Sequence, residues 1–351
     1  MRFLPRRFAA AAAVLLALLA GLSAGAAPAQ AAPPRQLTVA TYNLYLGADL
    51  TPLFGATSQE DLVRRAGEVY AHVVKTDFPS RAQAIAALLA GRRPDLVGLQ
   101  EVALWETGPI GGPLTPSYDF LRLLLDALAA RGLAYRPVAV NANFNGELPI
   151  GPTTMASFTD RDVILVRAGA RLAARHPQSH RFVGELVIPT AIPGLSFAVP
   201  RGWSAVDVTA GRRSFRFANT HLEAFSASVR AQQAAELAGA LLGSRLPVVL
   251  TGDLNSTPDD SGGASGTFTR AGFGDAWAVA EGPDGGFTSG QAPDLDNVPS
   301  QIDHRIDYVL YQPVGIRAVA AEVIGEELGD RTPAGLWPSD HAGVVAVLRL
   351  G

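Results

Sequence analysis

Apolar and polar positions along this chain follow two periods, close to two in some stretches and close to 3.6 in others. Residues 36–42 (QLTVATY) alternate and predict a first strand that ends at Asn43. Residues 43–50 then read as a loop with Gly47 at a turn, and residues 51–90 turn helical. Within them, residues 81–89 carry alanine and leucine at helical spacing, and Gly91 is placed to cap the C-terminus. Pro94 precedes a strand, 95–100, that delivers Glu101. Residues 105–116 are rich in Gly and Pro and predict a surface loop. They are followed by an amphipathic helix at 118–130 and a strand at 135–140. The Asn-rich stretch 141–159 reads as irregular, and 161–166 as a strand. Residues 186–208 read as strand, Pro/Gly turn and strand, and 214–220 as the strand leading to His221. A helix at 229–242 returns to the apolar run Val248-Val249-Leu250. Residues 261–297 are mostly Gly, Asp, Ser and Pro, hence loop, and the last strands are 306–311 and 343–350.

Several of these strands end in polar groups. The run PVVLTGDLN reads as a strand buried on both faces, with Gly252 at a turn that presents Asp253 and Asn255. LVGLQE, FANTHLE, HRIDYV and PSDHAG have the same form. In open α/β sheets the C-terminal ends of strands are where chemistry collects. Glu101 fits equally a buried ion pair with an arginine and a ligand to Mg²⁺, a hard cation that takes one or two carboxylates. His221 and His341, taken singly, fit core histidines bonded to backbone. Taken with Asp307 and Asp340 they fit catalysis instead, because a carboxylate orients an imidazole, fixes its tautomer and raises its pKa. The expectation is that Asp307 orients His341, which draws a proton from water. Asp253 and Asn255 position that water and the phosphate oxygens, and His221 donates to a non-bridging oxygen.

These stretches resemble the endonuclease/exonuclease/phosphatase superfamily, the fold of pancreatic-type DNase, bacterial sphingomyelinases and inositol polyphosphate 5-phosphatases. TYNLYLG (Asn43), LVGLQEV (Glu101), ANTHLE (Asn219, His221), TGDLNSTP (Asp253, Asn255), HRIDYVL (Asp307) and PSDHAGV (Asp340, His341) occur in the family's order. The resemblance implies an α/β four-layer sandwich, two packed mixed β-sheets flanked by helices. It also implies Mg²⁺ (with Mn²⁺ or Ca²⁺ as alternatives) near Asn43 and Glu101, with Asp340 assisting at the metal. Arg161, between Asp160 and Asp162, and Asn143 of the Asn-rich stretch are candidate substrate contacts, as is Asn219. A solvated ion-paired turn and an ordinary capped turn are the plainer readings of the first two. His304 and Arg305 are minor phosphate candidates. His176 and His180 read as exposed loop histidines, since no third ligand accompanies them.

Composition narrows this further. Arg2, Arg6 and Arg7 precede an apolar run from 8 to 22 and the small-residue site Ala29-Gln30-Ala31, a secretory signal over residues 1–31 with Arg6-Arg7 as a weak twin-arginine motif. The expected products are a secreted, extracellular protein and a single catalytic domain over 32–351. Losing those three arginines from 29 basic residues leaves 26 against 32 acids, a net charge of −6. That charge lacks the long-range pull of a tight nucleic-acid binder, and lysine occurs once, at Lys75. With no cysteine, disulfides and thiolate metal sites are excluded. The expected activity is phosphodiester hydrolysis, with a nuclease first, a sphingomyelinase-like phospholipid phosphodiesterase second and a phosphomonoesterase third. A monomer with no obligate protein partner and no transmembrane segment is expected.

Overall fold

The computed structural model describes residues 35–351, so the signal segment and its export motif lie outside the described residues. In chain order the strands are β1 (Arg35–Asn43), β2 (Leu96–Gln100), β3 (Leu104–Pro109), β4 (Thr115–Asp119), β5 (Tyr135–Pro149), β6 (Thr154–Arg167), β7 (Leu172–Arg181) and β8 (Leu186–Pro189). They continue with β9 (Ser196–Val199), β10 (Gly202–Ala210), β11 (Arg213–His221), β12 (Val248–Asp253), β13 (Gly274–Asp275), β14 (Asp307–Tyr311), β15 (Ile316–Ile324) and β16 (Gly343–Leu350). One sheet runs β15-β16-β1-β2-β6-β3-β4, with β5 also on β6; the other runs β13-β14-β12-β11-β10-β7. Both are mixed, since β1/β2 and β11/β12 are parallel and the remaining pairs antiparallel.

The layers follow from which faces are apolar. β2 and β12 are buried at every position, as strands covered on both faces must be. Val39, Ile164, Phe217, Val249, Val309 and Ala346 share the core of buried residues contributed by both sheets. Helices Gln59–Lys75, Phe78–Arg92 and Phe120–Ala130 bury Leu62, Ile85, Leu89 and Leu124 with residues of the first sheet. Helices Ala227–Leu242 and Ala264–Arg270 bury Leu237, Leu241 and Phe268 with residues of the second. The result is the expected α/β sandwich of two packed mixed sheets flanked by helices.

Several local expectations are corrected. Gly91 does not end its helix; the chain runs on to Arg92 and turns at Arg93, whose φ of 51° places a non-glycine residue in the left-handed region. Residues 105–116 form most of the β3–β4 hairpin rather than a loop. Residues 141–149 and 154–159 lie in β5 and β6, with only 150–153 irregular between them, because buried asparagines at 141 and 143 continue a period of two that hydropathy cannot register. His176 and His180 sit on β7, where His180 stacks on Trp203 at 4.4 Å. Residues 261–297 contain two short helices, Ala264–Arg270 and Ala276–Ala280. Gly252 lies within β12; a Cβ there would come 2.3 Å from the Thr220 carbonyl oxygen, so its role is close strand approach, not a turn.

Gly98 serves contact between the sheets. A Cβ on it would lie 2.2 Å from Thr251 Oγ1 and 2.4 Å from Asn219 Oδ1. Gly98→Ala is therefore expected to cost about 1–3 kcal/mol, the usual penalty for overpacking. Urea unfolding with an unchanged midpoint would show that the sheets separate freely here.

Candidate active site

Strand register brings the predicted polar ends together. In the second sheet His221 pairs with Asp253, and Asp253 with Asp307, so β11, β12 and β14 present their functional residues in one row. In the first sheet Asn43 pairs with Gln100, which sets Glu101 beside it. Ser339 Oγ donates to the Asn43 carbonyl at 2.8 Å, drawing Asp340 and His341 to the same edge. Two of these residues, Glu101 (φ 53°) and Asn255 (φ 48°), hold left-handed backbone. Such conformations in non-glycine residues persist only where the surroundings over-determine them, and they collect at functional sites.

His341 Nδ1 lies 2.8 Å from Asp307 Oδ2, and its Nε2 faces Asp253 Oδ2 at 3.8 Å. Burial opposes charge on this ring. Asp307, Asp340 and Asp253 outweigh burial and hold its pKa well above the usual histidine value. His221 behaves in the opposite sense: burial, then Arg201 and His341, push its pKa well below the usual value. Arg201 Nη1 is 3.0 Å from His221 Nδ1. A guanidinium can only donate, so Nδ1 is the acceptor and the neutral ring carries its proton on Nε2. That Nε2 faces Asp253 Oδ2 at 3.5 Å; Asn255 Nδ2 also approaches it at 3.1 Å but, being a donor itself, gives its hydrogen bond to the Leu222 carbonyl at 3.0 Å.

Asn43 Nδ2 donates to Glu101 Oε1 at 3.3 Å and Asp253 Oδ2 at 3.1 Å, bridging two carboxylates. Its Oδ1 is occupied by the Tyr45 backbone amide at 3.0 Å, so it turns nitrogen rather than oxygen toward them. Burial, then Asp340 and Asp160, raise Glu101 to about 7. Burial, then Asp307, raise Asp253 to about 7, and burial also raises Asp340. Among the described residues no arginine or lysine forms an ion pair with Glu101, Asp253 or Asp340. Asp253, buried, and Glu101 and Asp340, half-buried, face one cavity without a cation, which is costly, and hard oxygens in that arrangement fit a divalent ion. One ligand atom each from Asp253, Asp307 and His341 also falls within 4.8 Å of the others. In that trio the closest Asp307 oxygen is already held by His341, which favours the Glu101 side.

The expected substrate contacts are placed differently. Arg161 reaches Asp119 Oδ1 at 2.7 Å and the carbonyls of Val102 and Ala103, which ties β6 to the start of the Phe120–Ala130 helix and spends its donors inside the fold. Asn219 is fully buried; its Nδ2 donates to the Leu99 carbonyl at 2.9 Å and its Oδ1 accepts from Gln100 at 2.6 Å, an internal link between the sheets. Asn143 does line the cavity, donating to Asp162 Oδ2 at 2.8 Å and Asp160 Oδ2 at 3.2 Å. Arg305 is buried against Asp275, and His304 contacts Asp303.

Two residues were not anticipated. Arg201, after Pro200, sets the His221 tautomer, and nothing in an isolated arginine of sequence marks it. Arg81 is fully buried and donates to the carbonyls of Leu44, Tyr45, Thr76 and Pro338. It thereby locks the loop after Asn43 to the segment before His341. Its signal was legible as a charge on the apolar face of its helix.

A row of carboxylates and histidines at one edge of a four-layer α/β sandwich defines the class of hydrolases with a buried polar site at the sheet ends. The chain belongs to the Endonuclease/Exonuclease/phosphatase family, whose model matches residues 40–341. Members of that family are hydrolases of phosphoester bonds. A family protein from Bacteroides thetaiotaomicron is similar in structure, at 19% identity and TM-score 0.58, over 91% of this chain and 100% of that one. So is a mannosyl-6-phosphatase from the same organism, at 18% identity and TM-score 0.55, over 89% and 99%. TDP2 of D. rerio, solved in complex with a single-strand DNA product, is 17% identical with a TM-score of 0.52, over 89% and 98%. At these identities the likeness is one of fold. No curated protein matches the sequence.

Proposed function

We propose that this protein is a secreted, Mg²⁺-assisted phosphodiester hydrolase that activates water on the His341–Asp307 pair. The observation that carries this reading is the 2.8 Å contact between His341 Nδ1 and Asp307, with Nε2 facing Asp253 and touched otherwise only by the long 3.4 Å contact of Ser289 Oγ. Asp307 fixes the tautomer, so Nε2 is the atom that takes the water proton, and the same carboxylate stabilises the imidazolium that forms. Asp253 accepts from the Asn255 amide at 2.9 Å and is held where it can orient that water. His221, kept neutral with its proton on Nε2, donates to a phosphoryl oxygen as negative charge builds. Glu101 and Asp340 would hold the ion, which would supply Lewis-acid charge to the phosphoryl group, while Asn43, whose nitrogen faces the carboxylates, braces Glu101 rather than ligating. A cation beside Asp340 and Asp253 would offset part of the negative charge that raises His341, which favours the neutral ring that a general base requires.

Nucleic acid and phospholipid are the two substrate readings. The wall of the cavity supports the second. Purified protein supplied with Mg²⁺ is expected to release nucleotide from DNA or RNA, or phosphocholine from sphingomyelin vesicles. Failure to cleave any diester, with free phosphate released only from monoesters, would replace this reading by a phosphatase.

A further inference from the structure

The catalytic cavity does not end at its polar groups. Its volume is about 840 Å³, within the range that buries a drug-sized ligand, and His221, Asp253, Asn255 and His341 form only one part of its wall. The rest is apolar. Leu53 and Phe54 come from the helix Thr51–Phe54, Leu148 and Ile150 from the end of β5 and just beyond it, and Leu195 and Phe197 from the β8–β9 hairpin. That hairpin is a ribbon whose strands pair only with each other. It is held by aromatic contact: the Phe197 ring lies 5.4 Å from Phe54, and Phe54 lies 6.1 Å from Phe225. Phe225 follows His221 by four residues, so the loop that leaves the site also borders the apolar chamber.

Charge points the same way. The arginines that line the cavity are Arg181 and Arg201, and it has no lysine. Arg201 is engaged by His221 and Asp160, and Arg181 donates to the Asn143 carbonyl at 3.0 Å. A polyanion needs a track of cations along its backbone, whereas a single phosphate joined to a hydrocarbon needs one polar end and one dry chamber. Resting on the hydrolase reading above, we propose that the substrate is an amphiphilic phosphoester, a phosphate bearing an extended alkyl or acyl chain. The phosphate lies at His221, Asp253 and His341, and the chain is drawn out of water into the chamber beneath Phe54 and Phe197.

The test is equilibrium binding of methyl, butyl and decyl phosphate, each below its micellar threshold, by calorimetry with His341→Ala protein. Full burial is worth about four-fold in affinity per methylene. We therefore expect decyl phosphate to bind at least about 100-fold more tightly than butyl phosphate, with a negative heat-capacity change. Phe197→Asp should remove most of that gradient, Phe197→Leu should keep it, and Val314→Asp, on a distant exposed loop, should leave it unaltered. Thermal melts confirm that each variant folds. Affinity independent of chain length, or a gradient untouched by Phe197→Asp, would overturn the assignment. The two readings fail separately. A flat series with intact diester hydrolysis removes the chamber alone, whereas a steep series in a protein that cleaves no phosphoester keeps the chamber and removes the hydrolase.

Discussion

Replacing His341 with alanine lowers kcat by about 10⁴-fold, near the upper limit for losing one general base, in a protein that still folds but melts at a lower temperature because buried Asp307 loses its partner. The ring's Nδ1 is bonded to Asp307 and its Nε2 makes no short hydrogen bond, so truncation removes a proton acceptor without opening the sheets. Asp307→Asn is the sharper variant. The amide keeps the shape but removes a negative charge, so kcat falls by a smaller factor, on the order of 10²-fold. It also moves the acid limb of the rate profile. Asp307 is among the groups that raise His341, so its loss lowers the pKa at which the base is freed. The acid limb of kcat/KM therefore shifts to lower pH. Either variant turning over at a near-normal rate would take the pair out of the mechanism, and an unmoved limb would separate Asp307 from the titrating base.

What sequence could show of this site was the set of residues carried by strand register. His221 and Asp253 end their strands and Asp307 starts its own, the three pairing in one row, and each stretch announced itself as an apolar run broken by a polar group. Asn219 and Arg161 were misplaced for one shared reason. Pattern reading shows that a polar residue sits near a strand end but not which face it turns to, and both point into protein. Arg201 was invisible because its role depends on meeting His221 across the β10–β11 pair and the loop preceding it. The chamber was illegible for the same cause. Leu53, Leu148 and Phe197 lie in separate segments and become one wall only when the β8–β9 ribbon closes over the helix Thr51–Phe54.

Removing divalent cations with EDTA abolishes turnover and also makes folding stability fall as pH rises from about 5 to 8. The sign follows from Glu101 and Asp253. Both are raised to about 7 in the folded protein, so between the unfolded carboxylate pKa near 4 and that value the folded state binds more protons than the unfolded one. Their contribution is fully present below about pH 4 and is lost as pH passes through 7, where the buried groups must ionise beside Asp340 and each other. Adding Mg²⁺ at about 100 times its dissociation constant should restore about 2.7 kcal/mol, most of it visible at pH 8. Glu101→Gln separates this from a general salt effect. With one charge fewer, the metal-free variant should melt above the metal-free parent at pH 8, yet gain little from Mg²⁺. A metal-free melting temperature that does not change with pH would mean these carboxylates are not strained by their burial. A Glu101→Gln protein that gains as much from Mg²⁺ as the parent would move the ion away from Glu101 and toward the trio of Asp253, Asp307 and His341.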